Sequence, residues 1–293
     1  MFMKKVLIIG GSGFLGSHIA DIFTKKKYHV TIFDKIRSPW IKNKQKMIVS
    51  NLSNTKKLEQ AIKNSDFVYH FAAMSDIGDC LNNPQQSAKI NILFTLKVLK
   101  FCTKYKIKRL VYSSTIYIHS VQGGFYRISK QASELYIEEY SKRYSLDYTI
   151  LRFGTVYGTR SSKKNNLTKI ISNALKQNVL KYSGGTASAV RRYINVTDAA
   201  KASCEILNKK FKNKNVLITG RKKIKITEIM KLLSKMLKIK SKPEYEKITK
   251  NGHYNVSPYT YKKKPEIKFF LKKKIEIKQG LTDLIKELIF KKD

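Results

Sequence analysis

Tyr126 and Lys130 stand four residues apart in "YRISKQASELYIEEYSKRY" (126–144). On a helix this spacing puts both side chains on one face, one turn apart. A phenol beside an ammonium suggests acid–base chemistry. The positive charge is expected to favour phenolate and to lower the tyrosine pKa toward neutrality, the state in which it can take a proton from a substrate hydroxyl. Thr115 closes the apolar segment "RLVYSST" (109–115). At the carboxyl end of a strand its hydroxyl could hold the same substrate oxygen. A Tyr-x-x-x-Lys pair alone is common and reads more readily as a helix-surface pair, so the surrounding elements have to decide.

The stretch "KKVLIIGGSGFLGSHIA" (4–20) opens two routes. Two lysines before an apolar run resemble a secretory leader, but the run Val6 to Ile9 stops at Gly10, short of the roughly 7 to 15 residues that such a segment needs. As a β-strand it is coherent: β-branched, buried on both faces, and ending at glycines that let the chain turn into a helix from about Phe14. Gly10, Gly13 and Gly16 then have separate uses: a tight turn, backbone approach to a pyrophosphate, and close packing of helix on strand, with the helix N-terminus attracting the phosphates. A second strand, "HVTIFD" (29–34), ends in Asp34, about 20 residues beyond the turn, where a carboxylate binds adenosine ribose hydroxyls and repels a 2′-phosphate. This favours NAD over NADP, with Lys35 and Arg37 pulling the other way.

Beyond Asp34 the patterns alternate in βαβ rhythm: "KMIVSNL", "TKKLEQAIK", "DFVYHFAA", a helix from about Pro84 to Tyr105, "RLVYSST", then the Tyr126 helix and the strand "YTILRFGTVYG". A helix from about Leu167 to Gln177, "YINVTDAAKASCEILN", the strand "NVLITG" and a closing helix "IKQGLTDLIKELIF" follow. The expected fold class is α/β: a doubly wound parallel-sheet Rossmann domain, 1–155 plus 189–220, with a smaller C-terminal substrate-binding lobe, 156–188 plus 221–293.

Composition bounds the function classes. With 293 residues, 42% of them apolar, the chain can build a substantial core, and no run reaches the roughly 18 to 20 apolar residues of a membrane span. Three widely spaced cysteines, Cys80, Cys102 and Cys204, suit neither a disulfide framework nor a metal site, and a cytoplasmic setting is expected. The net charge of +40, from 60 Lys plus Arg against 20 Asp plus Glu, invites a nucleic-acid reading. The basic residues are spread along the whole length instead of gathering on one element, so no specific nucleic-acid partner is expected. Such a charge still attracts anionic small molecules.

Taken together, "GGSGFLG" (10–16), Asp34, "HFAA" (70–73), "YSST" (112–115), "YRISK" (126–130), "LRFGTVYG" (151–158) and "RRYINVTDAA" (191–200) resemble the extended short-chain dehydrogenases/reductases, in particular the NAD-dependent nucleotide-sugar epimerase/dehydratase group. The resemblance implies Thr115, Tyr126 and Lys130 as the catalytic set, with Lys130 also on the nicotinamide ribose. It further implies NAD against Gly10, Gly13, Phe14, Leu15, Gly16, Asp34, Asn51, Leu52, Ala72, Tyr126 and Lys130. Thr155 and Arg191 match substrate-diphosphate positions, and His70 is expected to be structural. Four departures stand out: Ile116 and Tyr117 replace the Asp-Glu pair of the dehydratases, Asn51 an aspartate, Arg127 a glycine, and Thr155 an asparagine. Only ten residues separate Thr115 from Tyr126, fewer than in typical epimerases. The implied activity is C4 epimerisation of a nucleotide sugar through a transient 4-keto sugar, with a 4-ketoreductase and a non-catalytic nucleotide-sensing or RNA-associated protein as alternatives. A homodimer remains open.

Overall fold

The computed structural model of the chain describes residues 3–184, 186–245, 267–271 and 273–290. The parts of the expected substrate-binding lobe at 185, 246–266, 272 and 291–293 lie outside them. In chain order the elements are β1 (Lys5–Ile9), α1 (Phe14–Lys25), β2 (His29–Asp34), β3 (Gln45–Val49), α2 (Thr55–Lys63), β4 (Phe67–His70), α3 (Ile77–Asn82), α4 (Pro84–Ala88), α5 (Phe94–Lys104), β5 (Arg109–Thr115) and α6 (Gly124–Tyr144). They continue with β6 (Tyr148–Phe153), β7 (Thr155–Tyr157), α7 (Asn166–Gln177), β8 (Lys181–Tyr182), β9 (Val190–Arg191), β10 (Tyr193–Asn195), α8 (Val196–Glu205), β11 (Lys214–Ile218), β12 (Ile224–Lys225), α9 (Ile226–Leu237), β13 (Glu244–Tyr245), β14 (Ile267–Phe269) and α10 (Ile277–Phe290). The Tyr126 helix begins at Gly124, the second of the paired glycines Gly123 and Gly124.

Eight parallel strands form one sheet in the order β14-β11-β6-β5-β4-β1-β2-β3. The strand order reverses between β1 and β4, and in open α/β sheets ligands bind outside the carboxyl ends of the strands at that reversal. The continuous apolar runs follow from burial on both faces. Leu7 and Ile9 face a cluster with Leu58, Val98, Leu99 and Ile137, while Val6 and Ile8 face the opposite cluster with Ile19, Phe23 and Ala199. Helices α2, α5 and α6 supply the first layer and α1 and α8 the second. A third cluster gathers Leu167, Ile171, Leu180, Met230, Leu233 and Leu284 from α7, α9, α10 and their connections. One segment departs from the expected division of the chain: Ile267–Phe269 pairs with β11 as an edge strand of the main sheet and is not part of the third cluster. Its apolar side chains complete the α8 face of the sheet beside Phe211.

Two charged ties set the geometry around the sheet's carboxyl edge. Arg160, in the turn after β7, donates its backbone N–H to both carboxylate oxygens of Glu287 on α10 at 2.9 Å. Its guanidinium reaches Asp21 of α1 at 2.8 Å and lies over the Trp40 ring. Deeper, Glu134 of α6 and Arg152 of β6 form an ion pair whose side chains have no exposed surface, Nη2 to Oε2 2.8 Å and Nε to Oε1 3.2 Å. The Ser114 hydroxyl donates to the same carboxylate at 2.6 Å.

Removing one partner of a buried pair leaves an uncompensated charge and costs about 3–5 kcal/mol, whereas replacing both with apolar groups of similar volume is often neutral. Arg152→Met should therefore lower unfolding stability by that amount, and adding Glu134→Leu should recover most of the loss. Urea titration of the three proteins measures both effects; additive losses in the double variant would contradict the pairing.

Candidate active site

The carboxyl edge of the sheet opens into a cleft of about 1280 Å³, large for a single small ligand and sufficient for two extended ones. Ile9 ends β1 and is followed by Gly10 at φ +85°, a conformation that disfavours any side chain. A Cβ on Gly10 would stand 2.4 Å from the Ala72 nitrogen, and one on Gly16 would stand 2.3 Å from the Gly10 carbonyl. The turn, the β4 exit and the start of α1 therefore pack too closely for side chains. Gly13, the N-cap of α1, carries no side-chain cap, which leaves the amides of the first helical turn facing the cleft. Asp34 closes β2, its carboxylate accepting from the Ser12 amide at 3.0 Å and the Ile36 amide at 3.4 Å. Asn51 accepts from Ser53 N through Oδ1 at 2.9 Å. A pyrophosphate cradle that side chains would fill, with a carboxylate at the end of the second strand, fits the dinucleotide NAD.

Every residue expected at the cofactor lines this cleft: Gly10, Gly13, Phe14, Leu15, Gly16, Asp34, Asn51, Leu52, Ala72, Tyr126 and Lys130. Thr115 lines it as well. The Thr115 hydroxyl is near enough to the Tyr126 phenol to oppose the rise that burial causes in its pKa. Tyr117 stacks edge-on to the Tyr126 ring at 6.4 Å and forms the adjoining wall. Lys130 is buried, donates from Nζ to the Ser113 carbonyl at 2.7 Å and lies 4.7 Å from the Tyr112 ring centre.

The expected charge relation between the couple is revised. Burial pushes the Tyr126 phenol up to about 12, with the Thr115 hydrogen bond opposing, and no lowering by Lys130 offsets it. Burial also brings Lys130 down to about 7, against the pull of Glu134 one turn further along α6. Lys130 is committed to the Ser113 carbonyl and is close to losing its own proton at neutral pH, so it is a poor source of fixed charge for the phenol. The protein's own groups leave Tyr126 a neutral phenol at rest.

Thr155 stands between Gly154 and Val156, which line the cleft. Neither Thr155 nor Arg191 lines the cleft. Arg191 is buried, with its guanidinium donating to the carbonyls of Val190 at 3.2 Å and Gly184 at 3.3 Å. It thereby supports Gly184, which does line the cleft. His70 matches its expected role: buried, Nε2 bonded to Thr95 Oγ1 at 3.0 Å, and held neutral by burial with its pKa near 3.

Sequence reasoning missed Asn91 and the α7 wall. Asn91 lies in a π-helical turn, Lys89–Leu93, between α4 and α5, a type of distortion frequent at functional sites. Its amide donates to the Met74 carbonyl and the Ser129 hydroxyl, both at 2.9 Å, and its Oδ1 accepts from Met74 N at 2.8 Å. Ser129 in turn donates to the Tyr126 carbonyl at 2.9 Å, so Asn91 ties the loop after β4 to the first turns of α6. On the opposite wall stand Lys164, Asn165, Asn166 and Lys169. The run "KKNN" before an amphipathic helix was the available signal, obscured by the lysine content of the whole chain.

This parallel sheet, glycine cradle and hydroxyl-bearing edge define a dinucleotide-binding α/β enzyme. The chain belongs to the NAD dependent epimerase/dehydratase family, which it matches over residues 6–219. A relative from Methanocaldococcus jannaschii, provisionally named a UDP-glucose 4-epimerase, is 28% identical over 96% of this chain and 97% of its own. The fold is shared with the UDP-glucose 4-epimerase of Thermotoga maritima, solved with UDP-glucose, at a TM-score of 0.86 and 22% identity over 99% of this chain and 100% of that one. It is shared as well with the UDP-N-acetylglucosamine 4-epimerase of Methanobrevibacter ruminantium, at 0.85 and 23% identity over 99% and 100%.

The Lys130 shift gives stability a pH dependence with a defined sign. Below about pH 7 both folded and unfolded chains carry the proton, and the burial penalty is complete. Between the folded value of about 7 and the ordinary 10.5, the unfolded chain holds a proton that the folded one has released, so stability rises with pH through that window. From about pH 6 to about pH 9 the ligand-free protein should gain on the order of a few kcal/mol relative to Lys130→Met. Denaturant unfolding of both proteins across that range checks it; parallel curves would show that Lys130 bears no such penalty.

Proposed function

We propose that this protein is a nucleotide-sugar 4-epimerase that keeps NAD through its turnovers. The observation that carries the reading is the convergence of Thr115, Tyr126 and Lys130 on the wall of a cleft whose other end is the glycine cradle and Asp34. NAD, when bound there, supplies the hydride acceptor and donor. The chain's own residues do the rest. Tyr126 takes the proton from the C4 hydroxyl and returns it, Thr115 holds that oxygen through its hydroxyl, and Lys130 keeps the nicotinamide ribose and the strand end in register. Ile116 and Tyr117 follow Thr115 where elimination of water would require carboxylates, and this separates the reading from dehydration.

The proposed setting is the cytoplasm; among the described residues no helix is long and apolar enough to cross a membrane. The proposed division of labour gives 1–155 and 189–220, with the edge strand β14, to NAD, and the elements around α7 and α9 to the substrate. Diffuse positive charge without a localised reading element supports a nucleotide-sugar ligand over a nucleic acid.

An epimerase returns the hydride to the molecule it left. The purified protein should carry bound nicotinamide cofactor, interconvert C4 epimers without added NAD(H), and retain deuterium at C4 of a C4-labelled nucleotide sugar. Product separation and mass spectrometry on a panel of nucleotide sugars read this directly. Stoichiometric NADH or NADPH consumption with a 4-keto sugar, without interconversion of hydroxyl epimers, would assign a reductase instead.

We also propose a homodimer through α6. Phe125, Ile128, Leu135 and Tyr136 lie within one face of this helix and are each more than 40% exposed, a contiguous apolar stripe of the kind that marks an interface. Light scattering should return twice the chain mass of 33.9 kDa, falling to the single mass in Ile128→Glu/Leu135→Glu. A monomeric wild type would remove the proposal.

A further inference from the structure

The outer part of the cleft is crossed by an ion pair. Lys164 Nζ donates to Asp79 Oδ2, linking residues 85 apart in sequence. Asp79 belongs to α3, whose Ile77, Gly78 and Leu81 line one wall. Lys164 lies just before α7 and itself lines the opposite wall, as does Lys169. The α3 side is firmly placed, since Asp76 caps the helix by accepting from Asp79 N at 2.9 Å and α3 packs against α6. The two charged side chains are not so placed: Lys164 is 59% exposed and Asp79 43%. A solvated pair of this kind contributes little to stability and is screened by salt, so it is a poor staple for two walls.

What such a pair can do is change partners. We propose that Lys164 is a substrate-anchoring cation held in reserve by Asp79, exchanging that carboxylate for the diphosphate of an incoming nucleotide sugar. The inference rests on the nucleotide-sugar reading above. A diphosphate offers an ammonium several strong acceptor oxygens and more than one negative charge, against the single charge of Asp79. It arrives where other groups already favour anions: the first turn of α7, whose N-cap Asn165 accepts no amide through its side chain, and Lys169, 3.5 Å from Ser183 Oγ. No covalent bond forms or breaks. Because Asp79 competes for the cation, a ligand has to carry enough negative charge to displace it, which sets diphosphates apart from neutral sugars.

Exchange and simple bracing give opposite signs. In the NAD-loaded protein, calorimetric titration with UDP, dTDP and GDP identifies the nucleoside diphosphate that binds best, and that probe is used throughout. Lys164→Gln should weaken it about five- to tenfold and flatten its dependence on ionic strength. Asp79→Asn should tighten it severalfold, with no gain in the Lys164→Gln background, as coupling through one shared partner requires. NAD affinity should stay constant across the set. Unchanged affinity in Lys164→Gln, or weakening by both single substitutions as a brace would give, overturns the exchange while binding by the wild type leaves the nucleotide-sugar reading in place. Failure of the wild type to bind any of the three diphosphates overturns that reading and this inference together.

Discussion

Glu134 and Arg152 are both removed from water, and two charges persist there only because each satisfies the other and Ser114 takes up part of the remaining carboxylate capacity. The arrangement fixes more than itself. Arg152 is part of β6, Ser114 of β5 and Glu134 of α6, so the pair determines where α6 crosses the carboxyl edge of the sheet. Lys130 sits one turn before Glu134 and Tyr126 one turn before that. A shift of α6 along its axis would carry the phenol away from Thr115 and at the same time leave a charge unpaired in the interior. The register of Tyr126 and Lys130 against Thr115 and the core electrostatics are therefore coupled.

The same burial sets the chemistry of the couple. Lys130 is driven toward neutrality and Tyr126 toward the protonated phenol, the opposite of what a lysine beside a tyrosine implies in isolation. Desolvation outweighs the neighbouring charge because Lys130 points its ammonium at the Ser113 carbonyl and the Tyr112 ring. Such a site is quiet at rest. In the proposed reaction the phenol would serve as a base only when other groups in the cleft favour the phenolate, which would link proton transfer to ligand binding.

The sequence made local features legible and concealed those that depend on distant partners. The strand–glycine–helix turn at Gly10, the Asp34 strand end and the Tyr126–Lys130 spacing are each contained in a few adjacent residues whose physics is self-sufficient, and all of them line the cleft. Thr155 and Arg191 rest on the family resemblance alone, and the folded chain turns Arg191 onto the Val190 and Gly184 carbonyls. Asn91 had no local signature, because its role depends on Met74 and Ser129 reached from 17 and 38 residues away. Ile267–Phe269 is similar: three residues become a strand only because β11 offers an open edge.

The short connection from Thr115 to Tyr126 links these points to the reaction. Ten residues have to leave a strand end and enter a helix on the same side of the sheet, and they do so through a 3₁₀ turn capped by Thr115 and a left-handed Gly123 at φ +99°. A side chain at Gly123 would press to within 2.9 Å of the Tyr117 ring, so the compact loop and the aromatic wall require each other. With Tyr117 packed there, the group next to Tyr126 is a phenol ring edge and no carboxylate follows Thr115 to serve as acid or base for eliminating water. The same ten residues that bring Thr115 and Tyr126 to one wall of the cleft thus place an aromatic ring, and no carboxylate, directly beside them.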